Sequence, residues 1–176
     1  MVSCMKLSIE DLMFLKSELD KTEIINEEGL KYIKSAHPQL YFTTHLKKDE
    51  DITLFPSNSW VYTLENKNLN KFICNKFEEP IDNLYIMHRL IYGENGYAKK
   101  HKDRFTTHKT VSILLSSDFI GGEMYINDKD VSLTNEGDYI VFNGGNEFHE
   151  VKKIISGERD VLIIWFSKKK AKFSII

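Results

Sequence analysis

The stretch Tyr92 to Asp103, Y-G-E-N-G-Y-A-K-K-H-K-D, decides how this chain is read. It follows an apolar run, Leu84 to Tyr92, that predicts a strand, and it closes on the triplet His101-Lys102-Asp103. The same texture continues downstream. Short apolar runs fall at Thr110–Leu115, Glu123–Ile126, Val131–Leu133, Tyr139–Phe142, His149–Ile155 and Asp160–Phe166, separated by Gly, Asn and Asp. Many short strands with turn signals between them predict a sandwich or barrel. With no helical stretch intervening, the sheet should be mostly antiparallel, of jelly-roll type.

Upstream the periodicity changes. Ser8 and Asp11 match a capping box ahead of an apolar series in which Ile9, Leu12, Met13 and Leu19 fall on one face at helical spacing. A second helix is expected from near Asn26, with Leu30, Ile33 and His37 inward, ending before Pro38. Leu40–His45 reads as a strand, Lys47–Asp51 as a charged loop and Pro56-Ser57-Asn58 as a turn. A third helix is expected from about Thr63 to Phe77, carrying Leu69, Phe72, Ile73 and Phe77. These helices should cover one face of the sheet. The expected organisation is one domain over residues 1–176. Residues 1–80 form a largely helical support region, and residues 81–167 form the jelly-roll catalytic core.

Composition narrows the function classes. A chain of 176 residues suits one core. Hydrophobic content of 41% and charged content of 28% are ordinary for a soluble globular protein. A net charge of −2 provides no general attraction to nucleic acid or anionic membrane. The longest apolar run, Val161 to Phe166, is far too short for a membrane span. Lys6, Glu10 and Asp11 interrupt any signal-peptide core. Cys4 and Cys74 form no C-x-x-C and are expected to be free thiols in a reducing, cytoplasmic compartment.

On a strand, residues i and i+2 face the same side, so His101 and Asp103 are expected to offer an imidazole and a carboxylate to one ion, with His149 supplying a second imidazole. Two His and one carboxylate with open positions is the donor set of non-haem Fe(II) oxygenases. Alone, H-x-D reads more readily as a chance triplet on a loop charged by Lys99, Lys100, Lys102 and Arg104. Arg159 adds weight. Period-two alternation places Arg159, Val161, Ile163 and Trp165 on one face of the last strand. A guanidinium buried on that face needs a partner, and a dicarboxylate ligand suits it; a strand-end arginine reaching solvent is the alternative. Tyr92 could donate to the same carboxylate or be a core tyrosine. D-F-I-G-G-E-M-Y-I, residues 118–126, reads as a hairpin. His37, His45 and His88 read as structural or surface histidines, while His108 is a decoy ligand close to His101.

In combination, Y-G-x-x-G-Y, H-x-D, G-G-E, G-D-Y-I-V-F-N, F-H-E-V, G-E-R and a strand ending W-F resemble the 2-oxoglutarate- and Fe(II)-dependent dioxygenases of the prolyl 4-hydroxylase type. The resemblance covers about residues 82–167. It implies a mainly β fold with N-terminal helices, a double-stranded β-helix (jelly roll) with helices packed on the larger sheet. His101, Asp103 and His149 match the iron ligands. Arg159 matches the basic residue for the distal carboxylate of 2-oxoglutarate, although collagen-type enzymes often carry Lys there. Tyr92 matches a tyrosine bonding that carboxylate, and Trp165 matches an aromatic near the cosubstrate, with a core tryptophan as the alternative. Trp165 stands where nucleic-acid demethylases of the superfamily tend to carry a second Arg. The short interval from Asp103 to His149 implies reduced substrate-groove loops.

The resemblance implies Fe(II), 2-oxoglutarate and O₂ as cofactor and cosubstrates, with ascorbate as a reductant. It implies hydroxylation of a C–H bond, on a prolyl residue of a protein or peptide. The rivals are a small-molecule or free-amino-acid hydroxylase and a non-catalytic metal-binding jelly-roll module. No membrane or nucleic-acid partner is expected, and oligomeric state is unspecified. The basic cluster Lys99 to Lys109 reads either as a solvated rim or as an attractor of acidic substrates.

Overall fold

The structure, a computed structural model, describes residues 3–21, 59–63 (backbone only) and 66–168. The expected helix from Asn26, the strand Leu40–His45, the loop Lys47–Asp51 and the turn Pro56–Asn58 lie outside the described residues.

Two sheets form the frame. The larger has six strands: β1 (Met5–Lys6), β2 (Ser59–Thr63), β3 (Leu84–Tyr92), β5 (Thr107–Leu114), β9 (Asp138–Phe142) and β12 (Arg159–Ser167), in the order β1-β9-β5-β12-β3-β2. The smaller has four: β4 (Ala98–His101), β7 (Met124–Ile126), β8 (Lys129–Asp130) and β10 (His149–Val151), in the order β4-β10-β7-β8. A ribbon of β6 (Phe119–Gly121) and β11 (Ile154–Gly157) completes the strands. Every pairing is antiparallel, as a jelly roll requires.

Strand alternation divides the interior into two cores. On β12, Leu162, Ile164 and Phe166 face outward with Val111 and Ile113 of β5. Helix α1 (Ile9–Lys21) and helix α2 (Lys67–Lys76) lie over them, contributing Leu15, Leu19, Leu69 and Ile73. Val161, Leu114, Ile140 and Phe142 face inward to meet Ala98, Met124, Ile126 and Val151 of the smaller sheet. A fully buried Leu or Ile contributes about 1.5–3 kcal/mol, so the helix-covered face anchors the larger sheet. The fold is therefore mainly β, with helices packed on the larger sheet.

Local chemistry explains several boundaries. The Asp11 N–H donates to Ser8 Oγ at 3.1 Å, so Ser8 caps α1 as its spacing predicts. The buried face of α1 differs from expectation, however: Leu15 and Leu19 are buried and Leu12 packs beside them, whereas Ile9 and Met13 are 75% and 68% exposed. Asn66 Oδ1 accepts from the Asn68 and Leu69 N–H groups and starts α2 there. Thr63, expected in that helix, instead ends β2. β7 and β8 are joined by Asn127 and Asp128, both at positive φ, the backbone of a tight hairpin. Val131–Leu133 consequently follows a strand rather than forming one. The run His149–Ile155 divides at Lys152-Lys153 into β10, which stays in the smaller sheet, and β11, which pairs with β6.

Candidate metal centre

β4 and β10 run antiparallel with His101 directly opposite His149, and the two ring centroids lie 4.3 Å apart. Asp103 is two residues beyond the end of β4. It reaches the same place through a loop rather than by strand alternation: its N–H donates to the Gly144 carbonyl at 2.8 Å. One ligand atom from each of His101, Asp103 and His149 lies within 4.8 Å of the others. His149 Nε2 stands 3.5 Å from Asp103 Oδ1.

Both imidazoles are oriented from behind. His101 Nδ1 lies 2.6 Å from the Lys99 carbonyl, and His149 Nδ1 lies 3.0 Å from the Glu147 carbonyl. A carbonyl only accepts, so each Nδ1 carries a proton, and Nε2 is the ring nitrogen left for a metal. Phe142 packs edge-on against His149 at 4.9 Å. Burial, aided by neighbouring His149, lowers the His101 pKa and favours the neutral form that binds a metal. Burial also pushes the Asp103 carboxyl upward, but the His149 ring and the Thr110 hydroxyl outweigh it and hold the group below its ordinary value. Two imidazoles and a carboxylate of this kind fit a divalent metal.

The cavity beside these ligands is lined by both sheets and includes Tyr92, Ser112, Arg159 and Trp165. Arg159 opens β12 opposite Tyr92, the last residue of β3. It is 1% exposed, and its Nε and Nη2 have no hydrogen-bond partner among the described residues. The guanidinium carbon sits 5.6 Å from the Tyr92 ring centroid. Burial lowers the Arg159 pKa, the sign of a cation short of solvation. Burial pushes the Tyr92 phenol up to about 12, which keeps it protonated and able to donate. Arg159 is thus turned into the fold, not out to solvent, and a carboxylate would satisfy two donors that are otherwise idle. The donor set and these idle N–H groups fit a metal with a dicarboxylate ligand.

Trp165 lies in the cavity wall with a buried Nε1 that has no partner among the described residues, and packs edge-on against His88, itself 3% exposed, at 5.3 Å. His88 is therefore a core histidine. His108 belongs to a separate network: its Nε2 is 3.0 Å from Glu79 Oε1, which also receives Lys109 Nζ at 2.8 Å. It is excluded from the ligand cluster. His37 and His45 lie outside the described residues. The basic cluster separates into seated groups. Lys102 and Lys100 lie 4.6 and 5.9 Å from the Phe148 ring centroid, and Lys100 also pairs with Asp128 at 2.6 Å. Arg104 donates to the Tyr85 hydroxyl at 2.7 Å.

Among the cavity residues with no site role in the sequence reading are two hydroxyls. Thr110 and Ser112 share the inward face of β5 with Leu114. The signal was available in T-V-S-I-L, where alternation places two hydroxyls beside Leu114 on a face otherwise built for a core.

Several solved structures share this fold. The chain is similar to the viral collagen prolyl hydroxylase of Paramecium Bursaria Chlorella virus-1, at TM-score 0.61 and 15% identity over 96% of each chain. It is similar to a Pseudomonas putida prolyl-4-hydroxylase, at TM-score 0.60 and 15% identity, covering 96% of this chain and 93% of that one. A third likeness is to a prolyl hydroxylase from Trichoplax adhaerens in complex with a hypoxia inducible factor oxygen degradation domain peptide fragment. That match has TM-score 0.50 and 13% identity over 90% of each chain. At these identities the likeness establishes the fold, the double-stranded β-helix. No protein-family profile and no curated protein matches the chain in sequence. No helix among the described residues is long and apolar enough to cross a membrane.

Proposed function

We propose that this chain is a 2-oxoglutarate- and Fe(II)-dependent dioxygenase that hydroxylates a C–H bond, with a prolyl residue of a protein or peptide as its substrate. The observation that carries this reading is the pairing, in one cavity, of the His101/Asp103/His149 cluster with a buried Arg159 that has two idle N–H donors. A module that only held a metal would have no use for that guanidinium.

In this reading His101, Asp103 and His149 hold Fe(II), and Arg159 and Tyr92 receive the distal carboxylate of 2-oxoglutarate. When bound, the metal and cosubstrate supply activation of O₂ coupled to decarboxylation to succinate and CO₂, with one oxygen atom passing to the substrate. The chain's own part is positional. The Lys99 and Glu147 carbonyls hold the two Nε2 atoms inward. Arg159, on a strand paired along both edges, fixes one end of the dicarboxylate so that its other end meets the ligands. The apolar wall of Met124, Phe142 and Val151 keeps water away from the reacting atoms. No side chain is required as a general base. The proline assignment is supported by the fold of the three prolyl hydroxylases and by the resemblance of the motifs.

The test is succinate formation by the full chain with Fe(II), ascorbate and 2-oxoglutarate, with and without proline-containing peptides or free amino acids. Peptide-stimulated succinate that disappears in His149→Ala and Arg159→Ala is expected. Stimulation by a free amino acid but by no peptide would transfer the substrate to the small-molecule class. Turnover unchanged in both variants would refute the site.

A further inference from the structure

Asp103 has two carboxylate oxygens in different surroundings. Oδ1 stands 3.5 Å from His149 Nε2, on the side of the imidazoles. Oδ2 is turned away and accepts a 2.6 Å hydrogen bond from Thr110 Oγ1. Thr110 is 1% exposed and lies in the middle of the larger sheet, opposite Phe142 on one side and Trp165 on the other. Its hydroxyl is thus held by two flanking strands. Gly144 closes the remaining space: a Cβ there would come within 1.9 Å of Asp103 Oδ2 and 2.3 Å of Thr110 Oγ1. The same glycine accepts the Asp103 N–H through its carbonyl.

We infer that Thr110 is a positioning residue: with Gly144 it occupies one oxygen of Asp103, so that the carboxylate offers the metal the other oxygen alone. The inference rests on the metal-centre reading above and deepens it. A carboxylate free to swing could offer both oxygens and take up a coordination position. One held at Oδ2 leaves that position open, and a metal that must also accept a chelating cosubstrate and O₂ needs it. The hydroxyl acts through Asp103 and touches neither metal nor substrate.

Co(II) binding to the full chain, read by calorimetry and by the visible absorption of the bound ion, tests this without turnover. Thr110→Val keeps the shape and removes the donor; loss of such an outer partner weakens metal affinity by roughly 10- to 100-fold. Thr110→Ser retains a hydroxyl and is expected to stay within a few-fold of wild type. Gly144→Ala intrudes on the same oxygen by another route and is expected to weaken Co(II) binding at least as much as valine. Thermal melting without metal separates these effects from misfolding, and Thr110→Ala makes the same comparison if valine is not tolerated. Equal Co(II) affinity in wild type and Thr110→Val, with binding abolished in His149→Ala, overturns the inference while leaving the metal centre intact. Equal weakening by valine and serine also overturns it, since the hydroxyl would then not be the cause. Failure of wild type to bind Co(II) at all removes the metal-centre reading itself.

Discussion

The two faces of β12 obey different rules. Outward, Leu162, Ile164 and Phe166 are fully buried beneath α1 and α2 in an apolar core. Inward, the same strand presents Arg159 and Trp165 with buried N–H groups that have no partner among the described residues, facing Ser112 Oγ in the same condition. Buried donors in native proteins are almost always satisfied. Four of the seven such side-chain atoms among the described residues lie in this one cavity beside the His101/Asp103/His149 cluster, where the proposed ligand would pair with them. In the proposed reading the outer face serves stability and the inner face serves binding.

Substitutions on the two faces should therefore separate folding from function. Leu162→Ala on the outer face is expected to cost about 2–5 kcal/mol of stability, read by chemical denaturation. Its affinity for 2-oxoglutarate should stay within about twofold of wild type, because the lost atoms lie on the far side of the sheet. Comparable loss of both quantities would show that the faces are coupled. Arg159→Leu should do the reverse. Losing the carboxylate's partner costs about 2–5 kcal/mol of binding, seen as at least a thirtyfold rise in the 2-oxoglutarate dissociation constant. Stability should hold or rise, since a buried cation with two unpaired nitrogens is removed. A strongly destabilised Arg159→Leu would mean that the guanidinium serves the fold.

A polar anchor on the helix side behaves as the idle donors do not. Glu79 accepts from Asn83, Lys109 and His108; burial pushes its carboxyl upward, but those hydrogen bonds bring it down to about 2 from an ordinary 4.5. The folded pKa lies below the unfolded one. Glu79 therefore stabilises the fold above about pH 4.5, and that contribution is lost as pH falls toward 2. Glu79→Gln should be less stable than wild type by about 1–3 kcal/mol at pH 7, with the gap closing across that window. A gap that persisted at pH 2 would show that packing, not charge, is responsible. The smallest effect is expected at Gly122, where φ is +71° and a Cβ would sit 2.4 Å from Ile154 Cδ1 and 3.0 Å from Arg159 Cδ. Gly122→Ala should cost about 1–2 kcal/mol and shift 2-oxoglutarate affinity a few-fold by moving the arginine.

What could be read from the sequence followed the range of the signal. Strand alternation is local, so Arg159 on an inward face with Val161, Ile163 and Trp165 was legible, and so were the boundaries Leu84–Tyr92. That His101, Asp103 and His149 come together was legible because few residue types can bind a metal. The loop bond from Asp103 to Gly144, which brings the carboxylate in, depends on contact between distant segments and was not. Helical periodicity on α1 admits two apolar stripes. Ile9 and Met13 match it as well as Leu12, Leu15 and Leu19 do, and only the packing partner chooses. β1 spans two residues, too few for a pattern, and pairs only because β9 supplies an edge. Thr110 and Ser112 had a pattern but no chemistry that stood out until the fold placed them beside Asp103 and Arg159.

The most direct measurement is calorimetric titration of 2-oxoglutarate into the full chain loaded with Mn(II), in wild type, Arg159→Leu and His149→Ala. One saturable site is expected in metal-loaded wild type, with no binding in the metal-free chain and affinity reduced at least thirtyfold in Arg159→Leu. Binding that is unchanged without the metal, or unchanged in Arg159→Leu, would contradict a shared metal and dicarboxylate cavity.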